Sequence, residues 1–310
     1  MSNRTIHPAS AVDAILTQEP TMRELPTPTL DLSPLPDFRR SLHPRTDAPA
    51  AVVVPGAVVP GAVVQAPAGI DVGWARHLDE VREAQRLRYE VFAGEMGAIL
   101  SNAVPGHDVD LFDDYCEHLL VRDGATRKVI GTYRVLTPQQ AKRAGSTYSD
   151  TEFDLTRLRD MRGRMVELGR SCVHPDHRHG GVIMALWGAL FEFMDRNRLD
   201  TMIGCASIPM LHNGLVTGDA AASIWHQLRQ SHLADIQFHV RPRLPLPVEE
   251  LDATLPIEPP ALIKGYLRLG AKVLGAPAWD PDFNTADLPM MMRTADLPAR
   301  YRKHFSMGMV

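Results

Sequence analysis

The stretch that decides the fold runs Arg164-Met-Val-Glu-Leu-Gly-Arg-Ser-Cys-Val173, His174-Pro-Asp-His-Arg-His-Gly-Gly181, Val182-Ile-Met-Ala-Leu-Trp-Gly-Ala-Leu-Phe-Glu-Phe-Met194 and, after a short polar link, Thr201-Met-Ile-Gly-Cys-Ala-Ser-Ile208. The first and last pieces read as strands. The piece from Val182 is apolar nearly all round, which marks a buried helix, and Pro175 to Gly181 is the loop that precedes it. Strand, glycine loop, buried helix and strand in that order make a βαβ unit.

Upstream, His118-Leu-Leu-Val-Arg122 and Val129-Ile-Gly-Thr-Tyr-Arg-Val-Leu136 flank the turn-prone Asp123-Gly124 and read as a hairpin. Leu78, Val81, Ala84, Leu87 and Val91 recur at helical spacing in an otherwise charged segment, so the folded part opens near Trp74 with an amphipathic helix. Downstream, residues 209–258 are proline-rich and read as an irregular insertion, Leu262 to Leu274 as a helix, and Leu288 to Arg293 as a last strand. Residues 1–70 hold eleven of the 25 prolines and repeat Val-Val-Pro-Gly-Ala. Proline removes backbone donors and breaks helices, so this segment reads as an extended or disordered arm ahead of a single domain over 71–310.

The chain has 310 residues, 45% hydrophobic and 23% charged, with a formal net charge of −4. That balance is ordinary for a globular domain and excludes wholesale nucleic-acid binding, which needs a basic surface. Cys116, Cys172 and Cys205 are odd in number and far apart, so neither a disulfide framework nor a zinc spacing is suggested and a cytoplasmic location is expected. The apolar stretch Val52 to Val64 is cut by Pro55-Gly56 and Pro60-Gly61 and is neither a span nor a signal peptide. Any membrane is met from its surface.

Two features of the deciding stretch carry chemistry. Arg178-His-Gly-Gly181 sits where free N–H groups at a helix start, with glycines permitting close approach, bind phosphate. His174, His177 and His179 lie beside it without a matching carboxylate, which favours phosphate over a metal, and no metal is expected. Glu167 and Arg170 are charges among Val166, Leu168 and Cys172, expensive to bury unpaired. Arg134 in the hairpin and Asp110 and Asp113 upstream could partner them, either as a site or as an ion network that only orders the fold. Arg88 and Phe92 lie one helical turn apart on the first helix. In a regular strand Glu167 and Arg170 would face opposite sides, so a shared site requires a distortion from Leu168 to Ser171, with Gly169 best able to form it.

The loop Val173-His-Pro-Asp-His-Arg-His-Gly-Gly181 resembles the pantetheine-phosphate loop of the GNAT acyltransferase superfamily, although its last small position is Ile183 here. Tyr266-Leu-Arg-Leu-Gly270 resembles that superfamily's Tyr-x-x-Leu-Gly helix. Arg88 with Phe92, Asp110 with Asp113, Arg134, and Glu167 with Arg170 are similar to the pattern shared by acyl-homoserine-lactone synthases and ornithine N-acyltransferases. The synthases typically carry a tryptophan where Ala98 stands. The resemblance to the ornithine family is wider. It includes Asp110-Leu-Phe-Asp-Asp-Tyr-Cys-Glu-His-Leu-Leu-Val, Gly204-Cys-Ala-Ser207, Ile263-Lys-Gly-Tyr-Leu-Arg-Leu-Gly-Ala and Ala278-Trp-Asp-Pro-Asp-Phe-Asn-Thr-Ala-Asp287, and spans residues 75–305.

The resemblance implies an α/β (α+β) GNAT fold, a central mixed, twisted sheet with flanking helices. It implies transfer of a 3-hydroxyacyl or other acyl group to the α-amine of L-ornithine, the first step towards an ornithine lipid. The donor would be the phosphopantetheine thioester of acyl carrier protein, with no further cofactor. Glu167 would be the base, Tyr266 the acid for the leaving thiol, and Arg170 part of the catalytic set. Arg88, Phe92, Asp110, Asp113 and Arg134 would bind substrate. Cys172, Val173, Arg178, Gly180 and Gly181 would hold the phosphopantetheine. Ile183 crowds the place of a coenzyme A pyrophosphate and suits a carrier protein. Met184, Leu186, Trp187, Phe191 and Met202 could line an acyl tunnel; Arg82, Arg86, Lys264, Arg268 and Lys272 could meet the acidic carrier. Arg300-Tyr-Arg-Lys-His-Phe305 is the candidate peripheral membrane contact. The rival readings are a lactone synthase, acylation of glutamine or glycine, and a non-catalytic lipid-binding protein.

Overall fold

The apolar runs of the sequence assemble into one sheet in the computed structural model, which describes residues 69–100 and 104–306. In chain order come β1 (Ile70–Trp74), α1 (Leu78–Tyr89) running into a π-helical turn (Glu90–Glu95), β2 (Glu117–Asp123), β3 (Val129–Leu136), α2 (Pro138–Ala144), α3 (Tyr148–Glu152), the short β4 (Phe153–Asp154), β5 (Met165–Val173) and α4 (Gly181–Arg196). Then follow β6 (Thr201–Pro209), the hairpin of β7 (Leu211–His212) and β8 (Leu215–Val216), α5 (Asp219–Ser231), β9 (Arg241–Pro242), α6 (Ala261–Arg268), β10 (Lys272–Val273), β11 (Ala278–Asp280), β12 (Thr285–Arg293) and α7 (Ala299–Ser306). The main sheet has the order β1-β2-β3-β5-β6-β12-β10, with β11 also on β12.

Within this sheet only β5 and β6 are parallel, joined by α4 as the βαβ pattern requires. Their register runs from Met165↔Thr201 to Glu167↔Ile203 and stops there, although both strands continue. Beyond Glu167 the two strands part, leaving a cleft. On the other side of β5 the ladder to β3 slips between Thr132 and Arg134, opposite Gly169 to Cys172. The distortion falls where the sequence places it, but its agent differs. Gly169 has no left-handed backbone, whereas Arg170 sits at φ +50°. Such a conformation costs a non-glycine residue on the order of 1–3 kcal/mol. It persists because the Arg170 side chain is fixed from several sides, as described below.

The two faces of the sheet differ in chemistry. On one, Tyr133, Val135 and Val166 pack against Leu186 and Leu190 of α4. The same face continues through Ala206, Ile208, Leu288 and Met290 under Ile224 and Trp225 of α5 and Ile263 of α6. The other face carries α1, whose Leu87 packs with Val91, Phe92 and Cys172, and α3, and it collects the buried charges.

Several expectations need correction. The folded part starts before Trp74, because Ile70–Trp74 pairs along β2 as an edge strand. Apart from its last residues the expected arm over 1–70 lies outside the described residues. The segment 209–258 is not irregular throughout: Asp219-Ala-Ala-Ala-Ser-Ile-Trp-His-Gln-Leu-Arg-Gln-Ser231 is the helix α5, with Ala221, Ile224, Trp225 and Leu228 buried. Its alanines and helical apolar spacing override the prolines on either side. The helix expected from Leu262 to Leu274 stops at Arg268. Gly270 turns the chain at φ +94° so close to Asp296 that a Cβ there would stand 2.6 Å from its carbonyl oxygen, and Lys272–Val273 then pairs with β12. The last strand begins at Thr285 rather than Leu288.

Gly204 sets how closely β5 and β6 approach at the neck of the cleft, since a Cβ there would meet the Leu168 carbonyl oxygen at 2.4 Å. Overpacking of this kind costs about 1–3 kcal/mol. Gly204→Ala should therefore lower Tm by roughly 2–12 °C, as read by thermal melting. An unchanged Tm would show that the neck is not close-packed.

Candidate active site

Three arginines from three elements converge on the polar face. Arg88 of α1, 1% exposed, donates from Nη1 and Nη2 to both oxygens of Asp113 at 2.9 and 2.8 Å, and from Nε to Asp108 at 2.7 Å. Arg134 of β3 reaches Asp110 at 2.6 Å and Asp113 at 3.2 Å. Arg170 of β5 stands 3.1 Å from Asp110 and 3.2 Å from Asp108. Its guanidinium lies over the rings of Tyr148 at 4.9 Å and Phe283 at 4.5 Å. Gln85 adds a bond to Asp113 at 3.2 Å. Charges match one for one, Arg88, Arg134 and Arg170 against Asp108, Asp110 and Asp113, which is the condition for burying them. Burial alone would raise Asp113, but Arg88 and Arg134 hold its carboxyl far below the usual carboxylate range.

Glu167 lies on the same face. Its Oε2 accepts the N–H of Tyr148 at 2.8 Å and its Oε1 that of Ser149 at 2.5 Å, so it caps the start of α3. Burial pushes its pKa up, against these amide donors and Arg134. Glu167 and Arg170, three residues apart on one strand, thus both meet Tyr148, one through its backbone and the other through its ring. The left-handed turn at Arg170 makes that convergence feasible.

A second acidic group surrounds Tyr148. Its hydroxyl donates to Asp280 at 3.0 Å, and Asp287 on β12 accepts from the Thr285 hydroxyl at 2.9 Å. Burial and the neighbouring Asp280 push Asp287 up to about 6. Burial, with repulsion from Asp280 and Asp287, pushes Glu152 up to about 7.

The apolar face opens into the cleft. Tyr133, Leu168, Trp187, Phe191, Met202 and Tyr266 are among its walls. Of the expected tunnel residues, Trp187, Phe191 and Met202 line it. Leu186 is instead fully buried in the core and Met184 packs against that core. The hydroxyls of Tyr266 and Tyr133 are hydrogen-bonded to each other, and burial raises both phenols above their ordinary pKa. The Cys172 thiol is pushed up to about 12 by burial, which leaves it a poor nucleophile at neutral pH.

At the loop, Gly180 at φ +93° precedes α4, whose first N–H groups receive no side-chain cap. Arg178 does not point at that helix start. It forms a two-pronged pair with Glu95 at 2.6 and 2.7 Å and donates to the Val173 carbonyl at 3.0 Å. Arg82 and Arg86 stand on α1, and Lys264 and Arg268 on α6, on opposite faces of the sheet, so they do not make the single basic surface that the sequence suggests. Asp108, Tyr148, Asp280, Asp287 and Tyr133 are site residues that sequence reasoning missed. Asp280 and Asp287 lie inside the word Ala278 to Asp287, whose resemblance was visible but whose position in space was not.

Residues 87–188 match the acetyltransferase (GNAT) domain family. The chain is 35% identical over 255 residues to the L-ornithine N(alpha)-acyltransferase of Rhodobacter capsulatus, covering 78% of this chain and 96% of that one. It is 33% identical over 251 residues to the protein of the same name from Brucella abortus, covering 76% and 88%. Among solved structures it is similar to a coenzyme-A-dependent acyl-homoserine lactone synthase, BjaI, at 17% identity and a TM-score of 0.44, over 74% of this chain and 81% of that one. The parted parallel strands, the glycine loop before α4 and the matched domain define an acyltransferase of the GNAT class. Within that class, the chain belongs to the L-ornithine N(alpha)-acyltransferase family.

Removing one member of a buried ion network costs about 3–5 kcal/mol, so Asp113→Asn should lower Tm by roughly 6–20 °C at neutral pH. The folded pKa of Asp113 is depressed, so its contribution is complete above the unfolded value near ~3.9 and is lost as pH falls towards the folded one. Denaturant titrations should therefore show the gap between wild type and variant narrowing below pH ~4. A gap that stays constant down to pH ~2 would contradict the ion-pair reading.

Proposed function

We propose that the protein transfers an acyl group from the phosphopantetheine thioester of acyl carrier protein to the α-amine of L-ornithine, giving a lyso-ornithine lipid. The observation that carries this reading is the match over 96% of the length of a relative with that acyltransferase name, in a chain whose sheet opens an apolar cleft beside a charged face. The amine nitrogen attacks the thioester carbonyl, the carbon–sulfur bond breaks, and the amine proton and the thiolate must both be dealt with. An α-amine titrates near ~7.7–8.0, so only a mild base is needed. Glu167, its basicity raised by burial, takes that proton through a water, since both its oxygens already hold amide donors. Tyr266, kept protonated and aimed by Tyr133, supplies the proton to the thiolate. Beyond Glu167 the edge of β5 facing β6 is unladdered, and N–H groups near Cys172 and Val173 stabilise the developing oxyanion.

The uncapped start of α4 at Gly180 and Gly181 takes the phosphate of the donor, with Arg178 exchanging Glu95 for it. The acyl chain lies in the cleft against Trp187, Phe191 and Met202. Arg88, Asp113 and Arg134 act by holding Arg170, and Phe92 by packing edge-on against Phe283 at 5.8 Å, whose ring bears on Arg170. No described helix is long and apolar enough to cross a membrane. The product is amphiphilic, and α7, with Arg300 and Tyr301, is the proposed surface contact with lipid.

Purified protein incubated with a 3-hydroxyacyl carrier protein and single amino acids should yield the ornithine amide by mass, and acyl-coenzyme A should serve far less well. No ornithine product would overturn the reading, and equal kcat/KM for both donors would overturn its donor half. Glu167→Gln should lower kcat by roughly 100-fold or more with little change in the KM for ornithine. Melting measured alongside separates loss of the α3 cap, and a folded variant with undiminished kcat would remove Glu167 from the chemistry.

A further inference from the structure

Asp110 and Asp113, the carboxylates that the resemblance assigns to substrate binding, are not free to take an ammonium from the acceptor. Asp113 holds both oxygens against Arg88 and also meets Arg134 and Gln85. Asp110 is divided between Arg134 and Arg170. A different pair has no such partner. Asp280 and Asp287 are 6% and 3% exposed. Among the described residues, neither has an arginine, lysine or histidine nitrogen within ion-pair distance. They sit on adjacent strands in the register Ala278↔Asp287 and Asp280↔Thr285. Asp280 is committed to structure, taking the Tyr148 hydroxyl at 3.0 Å on one oxygen and the N–H groups of Asp282 and Phe283 at 3.0 and 3.1 Å on the other. Asp287 is met by hydroxyls, that of Thr285 on Oδ1 at 2.9 Å and that of Ser207 across the ladder.

This is an unusual economy of charge. A few side chains away the same face matches every buried arginine with an aspartate. Glu167, buried there without an ion pair, carries two amide N–H donors instead, whereas Asp287 has hydroxyls alone. Burying a carboxylate without a cation is costly, and a cation arriving with a ligand removes that cost. A second observation on the same wall points to the same ligand. The Arg170 side chain is 11% exposed, with Nε facing Asp108 at 3.2 Å and Nη2 donating to Asp110, and among the described residues its Nη1 has no hydrogen-bond partner. Tyr148 joins the two features, its ring beneath the Arg170 guanidinium and its hydroxyl on Asp280. This face therefore presents a partly exposed guanidinium edge at one end of a tyrosine and, at the other, a buried carboxyl without an ion pair. That is the complement of an amino acid with a carboxylate at one end and an ammonium at the far end of its side chain.

We propose that Asp287 is the residue that selects a dibasic acceptor, by pairing with its side-chain ammonium while Arg170 holds its carboxylate. Asp280 is a positioning residue that fixes Tyr148 between them. The assignment rests on the acyl-transfer reading and deepens it. Charge balance also explains why an apparently destabilising carboxyl is kept at the site, since binding residues are commonly retained at a cost in stability.

The test compares wild type and Asp287→Asn, with one acyl donor and two acceptors, L-ornithine and L-norvaline, which has the same carbon chain without the terminal amine. Wild type should prefer ornithine strongly. In the variant the ratio of kcat/KM for ornithine to that for norvaline should fall roughly 30-fold or more, the loss expected for truncating one partner of a buried charge pair. Melting supplies an independent arm. Without ligand the variant should melt no lower than wild type at pH 8, because it lacks the uncompensated carboxyl. Added ornithine should raise the Tm of wild type and raise that of the variant much less. An unchanged acceptor ratio in the variant, or a wild type that uses norvaline as well as ornithine, would overturn the assignment of Asp287. If no amino acid is acylated, the acyl-transfer reading fails instead, and equal thermal shifts in both proteins would then overturn the pocket as well.

Discussion

The buried exchange of charge among Arg88, Arg134, Arg170, Asp108, Asp110 and Asp113 is the constraint on which the rest of the site depends. Each arginine comes from a different element, so the network ties α1, β3 and β5 together, beside the apolar contact of Leu87 and Phe92 with Cys172. Its consequence for the backbone is local. The guanidinium of Arg170, held between Asp108, Asp110 and two aromatic rings, draws its own residue into a left-handed conformation. That turn breaks the ladder to β3 at the point where β5 leaves β6. A cleft in the middle of a sheet, normally an unsatisfied edge, is in this way tied to side-chain electrostatics on one face.

The same arrangement separates two kinds of substrate surface. Towards α4 and α6 the cleft is walled by aromatic and sulfur-containing side chains and by the Tyr133–Tyr266 hydroxyl pair. Towards α3 lies the polar face with Glu167, Arg170, Tyr148 and the acidic pair of β11 and β12. In the proposed reaction a fatty thioester approaches from the first side and a charged amino acid from the second, and they meet at the unladdered edge of β5. Glu167 links the two roles, because its carboxylate holds the α3 segment that brings Tyr148 into the acceptor wall.

Much of this was legible before any coordinates. The βαβ unit, the hairpin and the need for a break between Glu167 and Arg170 follow from periodicity and from the cost of buried charge, both local properties of the chain. The partnership of Arg134 with Asp110 and Asp113 follows because a buried arginine must find an acid. What stayed hidden was decided by tertiary position. Gly169 looked like the natural host for a kink, but the side chain of Arg170, not backbone freedom, determines where the chain turns. Arg178 looked free for a phosphate because Glu95, 83 residues away in sequence, gives no local sign of pairing with it. Asp280 and Asp287 flank a turn full of polar residues, and only the pairing of β11 with β12 reveals that both are buried side by side. The helix α5 was masked by the prolines around it, which its alanine content outweighs.

The central claim is that Arg170, fixed by the ion network, shapes the acceptor site. Steady-state kinetics of Arg170→Lys with ornithine, with melting recorded on the same preparation, tests it most directly. Lysine keeps the charge but cannot span Asp108, Asp110 and both rings at once, as a planar guanidinium does. The account expects a folded enzyme whose Tm falls by a few degrees at most and whose kcat/KM for ornithine falls by about 100-fold. A lysine variant that keeps both its Tm and its kcat/KM would contradict it, because the shape of the site would then not depend on this side chain.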